Sequence, residues 1–224
     1  METVEYAHGR LADLYGDPAN PTVLLWHGSQ SDARATVRSL SELLMGHGLF
    51  VVAPDWDSHG DDGGRADLLR SAHFARGRVA HPEGIVVVGW SLGGLAAAGL
   101  TIHARDHGVR VAHTVCLAGA FMVRDPICGA HLESELAGVG DRSPFTLLHG
   151  VADDVVPAAV SRAFASSLQH NGWPAEFVPL DADHGSIAGA VYDVSSDSYA
   201  AVKDAAALGI ASDVAARIAA AAGR

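Results

Sequence analysis

From residue 22 onward, short unbroken apolar runs alternate with stretches whose apolar residues recur every three or four positions. The first pattern marks strands buried on both faces, the second amphipathic helices. Thr22 to Trp26, Leu49 to Ala53, 85–89, about 111–118, 145–148 and Glu176 to Leu180 read as strands. Helices are expected over about 31–47, 65–80, 92–107, 158–170 and 201–221. In the first of these Val37, Leu40, Leu43 and Leu44 share a face, and Gly46 and Gly48 mark its end. Residues 2–7 and 10–15 read as two further strands joined by a His8-Gly9 turn. The stretch 120–144 is less regular, and 186–200 has no assignment. This alternation predicts an α/β fold with a mainly parallel sheet covered by helices, as one domain over 1–224. Chemistry in such sheets gathers at the carboxyl ends of the strands.

Composition narrows the setting. The 224 residues suit a single domain with a sizeable core. A formal net charge of −11 argues against a nucleic-acid or anionic-membrane partner, since both need a basic face. No run approaches the ~20 apolar residues of a membrane span. Met1 to Glu5 lacks the basic and apolar regions of a signal peptide, so a cytoplasmic location is expected. Cys116 sits in an apolar run and reads as a buried thiol, and with Cys128 it resembles no disulfide framework. No feature fixes an oligomeric state; monomer and homodimer both stay open.

Candidate chemistry centres on Gly89-Trp90-Ser91-Leu92-Gly93, which follows the apolar run Ile85 to Val88 and precedes the small-residue run Leu95 to Gly99. A strand entering Gly-x-Ser-x-Gly and leaving as a helix is the context of a nucleophile elbow. The bare five-residue pattern also occurs as a Gly-rich turn; the flanking runs favour the elbow. Two more polar residues follow predicted strands, Asp153 after 145–148 and His184 after Glu176 to Leu180. All three would share one sheet edge, in the chain order Ser, Asp, His. A serine hydroxyl needs a general base, histidine suits that task at neutral pH, and a carboxylate orients the imidazole. A tetrahedral oxyanion needs two N–H donors. The Leu92 amide at the helix start and the Ser29 amide after Thr22 to Trp26 are the candidates. Asp154 is the neighbouring alternative to Asp153, and either carboxylate has a plainer reading as a turn or cap before Pro157. With thirteen histidines in the chain, any one alone is weak evidence. His27 and His149, each before a glycine at a strand end, read as turn residues.

The ordered set His27-Gly28, Pro54-Asp55, His59-Gly60, the elbow, His149-Gly150 with Asp153 and Val156-Pro157, and Asp183-His184-Gly185 resembles the α/β-hydrolase superfamily. The likeness is to its small dienelactone-hydrolase-like or carboxylesterase-like serine hydrolases, and it covers about 22–185. It implies an eight-stranded sheet, helices on both faces, a Ser91–His184–Asp153 triad, a small-molecule ester substrate and no cofactor. Dienelactone hydrolases proper carry a cysteine where this chain has Ser91, which argues against their substrate. Only about 122–144 is available as a cap.

Trp56, His59, Trp90 and Phe121 are candidate pocket residues, Trp90 and Phe121 having core packing as the plainer reading. The four carboxylates of Asp55 to Asp62 show no ligand register for a metal, so a solvated loop is expected. A thioesterase, peptidase or perhydrolase would carry the same triad. A non-catalytic binding protein on this fold usually lacks a triad member.

Overall fold

The computed structural model describes residues 1–79, 83–137, 142–204 and 208–224. β1 (Glu2–Ala7) and β2 (Arg10–Tyr15) pair antiparallel around Gly9, whose φ of +72° an L side chain resists. β2 also runs antiparallel to β4 (Phe50–Pro54). From there the sheet is parallel through β3 (Thr22–Trp26), β5 (Ile85–Trp90), β6 (Val111–Leu117), β7 (Phe145–Gly150) and β8 (Ala175–Leu180). The spatial order is β1-β2-β4-β3-β5-β6-β7-β8.

The period of two along each strand sorts the core. Val23, Leu25, Val51 and Val88 face α1 (Arg38–Gly46) and α5 (Gly209–Ala221), which add Leu40, Leu44, Val214 and Ile218. Leu24, Trp26, Val52 and Val87 face α2 (Arg65–Arg76) and α3 (Leu92–Ile102), which add Leu68, Ala72, Ala97 and Leu100. α4 (Ala158–His170) seats Phe164 and Leu168 against Phe145 and Leu147. With both faces covered, every residue of β3, β4, β5 and β7 is buried, which is why those runs lack polar alternation.

Three helical expectations are corrected. The helix expected over 31–47 is a 3-10 turn at Arg34–Val37 followed by α1, because residues 27–33 spend their polar groups on the neighbouring loop. α3 stops at Ile102 and gives way to turns ending at Gly108, short of 107 as a helix end. The Ala-rich stretch from 201 is not one helix: β9 (Ala190–Asp193) and β10 (Ser198–Ala201) form a hairpin, and α5 begins only at Gly209. The expected helix over 65–80 ends at Arg76 among the described residues; position 80, like 138–141 and 205–207, lies outside them.

Within 122–144, residues 125–128 are held in place. Asp125 Oδ2 accepts the amides of Ile127 (3.1 Å) and Cys128 (2.7 Å), and Arg65 Nε donates to the Ile127 carbonyl at 2.7 Å. The Asp125 carboxyl lies over Gly99 of α3, where a Cβ would collide with it. Burial pushes this carboxyl up to about 6, against the pull of the Cys128 and Ile127 amides.

Candidate active site

β5 delivers Ser91 into a strained turn. Its φ of +57° and ψ of −119° lie outside the ordinary regions for an L residue, as an elbow requires. The turn is held by the Ser91 amide on Leu117 O (2.8 Å) and by Ser91 O accepting from Gly94 (3.0 Å) and Ala120 (3.1 Å). A Cβ on Gly89 would meet the Gly93 carbonyl, and one on Gly93 would meet that of His27. Only glycine permits strand, helix and the β3 loop to close this tightly.

Asp153 and His184 come together at the ends of β7 and β8. Backbone bonds zip their loops, Val151 N to Leu180 O at 2.8 Å and Ala152 N to Ala182 O at 3.1 Å. His184 Nδ1 lies 2.7 Å from Asp153 Oδ2, and Asp153 Oδ1 accepts the amides of Val155 (2.9 Å) and Val156 (2.8 Å). Burial raises the Asp153 carboxyl, but hydrogen bonds from His149 and His184 outweigh it and hold the group well below the usual carboxylate range. The Trp90 indole N–H donates to His184 O at 2.8 Å, which ties the His184 loop to the elbow. Among the described residues no hydrogen bond closes between Ser91 Oγ and His184; such bonds are often long before substrate binds.

The loop after β3 approaches the elbow, with a Cβ on Gly28 placed 3.4 Å from Ser91 Cβ. The His27 ring sits beneath it. Nδ1 donates to Gly28 O (2.9 Å), and Nε2 accepts the amides of Ala33 (3.2 Å) and Trp56 (3.3 Å). Ser58 Oγ holds Ser29 O at 2.6 Å. Neither the Ser29 nor the Leu92 amide has a protein acceptor among the described residues, so both remain free to donate.

A family model described as the alpha/beta hydrolase family matches residues 23–222. The chain belongs to that family. Among solved structures, this alpha/beta hydrolase is similar to esterase 2 of Thermogutta terrifontis. The form phosphorylated by paraoxon has a TM-score of 0.67 and 22% identity, covering 83% of this chain and 84% of that one. The propionate-bound form has a TM-score of 0.65 and 21% identity over 83% and 85%. The apo form has 0.63 and 23% over 82% and 84%. No curated protein matches the sequence.

The remaining expected pocket residues of this hydrolase fall unevenly. Trp56 is corrected: it is fully buried, stacked 5.4 Å from His27, and supports the loop from below instead of lining a mouth. Trp90 is likewise corrected, since it is buried against His184 and Tyr199 with only its N–H partnered. Phe121 is almost wholly buried and stacks 4.0 Å from Phe164, so its place is the core. His59 alone is exposed, with Nδ1 3.0 Å from Ser31 Oγ. Three of the four Asp55 to Asp62 carboxylates are used internally: Asp55 pairs with Arg34, Asp57 accepts from Ser31, and Asp62 receives the Gly64 and Ala66 amides. Among the described residues no group of three His, Cys, Asp or Glu converges as metal ligands would.

Sequence reasoning missed the β9–β10 hairpin. Gln30, beside Ser29, bonds Tyr199 through both amide atoms, and the Tyr199 ring lies 5.9 Å from that of His184. A groove of about 690 Å³ runs beside His184 between the Asp153 loop and this hairpin, with Val155, Val191, Tyr192 and Tyr199 on its walls.

Proposed function

We propose that the chain is a serine hydrolase of small carboxylic esters. The observation that carries it is the 2.7 Å His184–Asp153 hydrogen bond beside an elbow serine with φ +57°. Ser91 Oγ attacks the ester carbonyl while His184 Nε2 takes its proton; His184 then returns that proton to the leaving alcohol. Asp153 holds the imidazole with Nδ1 protonated, leaving Nε2 to face the serine. The Leu92 and Ser29 amides receive the oxyanion, each such donor being worth ~3–4 kcal/mol. Water, deprotonated by His184, cleaves the acyl-enzyme, and the proton returns to Ser91. None of these steps calls on a cofactor.

A carboxylic ester is favoured because the similar solved protein is an esterase, with a propionate-bound form and a form phosphorylated by paraoxon. The test is turnover of short-chain p-nitrophenyl esters together with labelling by a fluorophosphonate. Ser91→Ala is expected to abolish labelling and to lower kcat by at least ~10³-fold. Asp153→Ala should cripple turnover far more than Asp154→Ala. A well-folded wild type that neither labels nor turns over would overturn the reading in favour of a binding protein.

A further inference from the structure

His149, in β7, has no exposed surface and takes no part in the steps above. Its Nδ1 lies 2.7 Å from Ser161 Oγ on α4. Its Nε2 lies 2.8 Å from Val156 O and 3.2 Å from Asp153 Oδ2. Those partners fix the tautomer. A carbonyl and a carboxylate only accept, so Nε2 carries the proton, and Nδ1 then accepts the Ser161 hydroxyl proton. Asp153 therefore takes hydrogen bonds from His184 on Oδ2 and from the Val155 and Val156 amides on Oδ1, while the His149 N–H, given to Val156 O, also lies beside Oδ2.

We propose that His149, anchored by Ser161, is a positioning residue for the acid of the triad, locking the Asp153 carboxylate toward His184 and tempering its charge. The proposal rests on reading Ser91, Asp153 and His184 as that triad. Two consequences follow from the geometry. Without His149 the carboxylate is freer to turn from His184, and misplacement on the scale of 1 Å costs up to ~10²-fold in rate. Without the His149 N–H beside Oδ2, more negative charge on Asp153 faces His184 and favours its protonated form. The other ionisable groups near the pair are Asp154 and Asp183 on the two loops and Tyr199 from β10. α4 presents the neutral Ser161 hydroxyl.

Three variants test this. His149→Phe keeps a ring and removes the donor. His149→Gln returns an N–H near the place of Nε2. Ser161→Ala removes only the anchor. His149→Phe should lower kcat ~10- to 100-fold with KM little changed, and move the acid limb of kcat/KM to higher pH. His149→Gln should restore most of both, and Ser161→Ala should shift both slightly in the same direction as His149→Phe. The low-field proton resonance of His184 Nδ1–H should weaken in His149→Phe and return in His149→Gln. Unchanged kcat and acid limb in a folded His149→Phe would overturn the proposal. So would His149→Gln losing as much as His149→Phe while the His184 resonance is undisturbed. If His149→Phe does not fold, a Ser161→Ala identical to wild type in kcat, acid limb and resonance overturns it. Failure of the triad reading is seen separately, as wild type without labelling, and the resonance experiment still decides the role of His149.

Discussion

His27 shows how one buried ring can set the direction of the amide proposed to bind the oxyanion. In a trans peptide the C=O and N–H point opposite ways. By donating to Gly28 O, His27 aims the Ser29 N–H of the same peptide away from itself. Its other nitrogen serves two amides and has no room for a proton, and burial depresses the group to about 4. His27→Ala should therefore lower kcat by up to ~10²-fold, the worth of one oxyanion donor, with KM nearly constant. Steady-state kinetics on a single ester checks this; a pure KM effect would count against it. The elbow at Ser91 and the meeting of Asp153 with His184 were legible because each residue follows an apolar run beside glycine or proline. His27 and His149 were misread as turn residues because their partners, Trp56 and Ser161, lie 29 and 12 positions away. Trp56 was misread for the same reason, since a polar loop does not reveal that its one large ring folds inward.

At the level of elements, the elbow depends on β3, β5 and α3 approaching without side chains between them. Gly93→Ala drives a methyl into the His27 carbonyl and pushes α3 from the end of β3. Overpacking of this kind costs ~1–3 kcal/mol, or several degrees in Tm. The rate of fluorophosphonate labelling should fall by at least ~10-fold, because nucleophile and donors separate. Gly46→Ala is the control. Its Cβ meets nothing within 4 Å at the end of α1, so Tm should hold or rise slightly. Equal damage from both would show that crowding at the elbow is not the cause. The strands and helices of the main sheet were legible because burial on both faces leaves continuous apolar runs. The hairpin was not: its strands have four residues each, and the alanines at 200 and 201 run on in the sequence toward an Ala-rich segment with the composition of a single helix.

Across the whole molecule, two buried groups pull the pH dependence of stability in opposite directions. His27 binds a proton at 6.5 when unfolded but only near 4 when folded, so stability falls as pH drops through that window, by roughly 3 kcal/mol. Asp125 moves the other way, from 3.8 to about 6, so folding strengthens as pH drops from 6 toward 4, by a similar ~3 kcal/mol. The two nearly cancel. Asp153, held low by its hydrogen bonds, adds a loss only as pH falls below the usual carboxylate range. The urea midpoint should stay nearly flat from pH 6 to 4 in the wild type. In Asp125→Asn it should start higher at pH 7 and decline from about pH 6.5. Parallel curves would refute the compensation. None of this was legible in sequence, since Asp125 lies in the irregular stretch and its burial comes from Gly99 on a distant helix.

The functional groups enter the chain in a long series, from His27 and Ser91 through Asp153 to His184, and the strand that braces them carries Tyr199. During synthesis, a chain extruded only through residue 183 holds Ser91, the Ser29 and Leu92 amides and Asp153, but not His184, the base of the proposed mechanism. On the proposed roles, hydrolysis waits until the His184 loop has emerged behind β8.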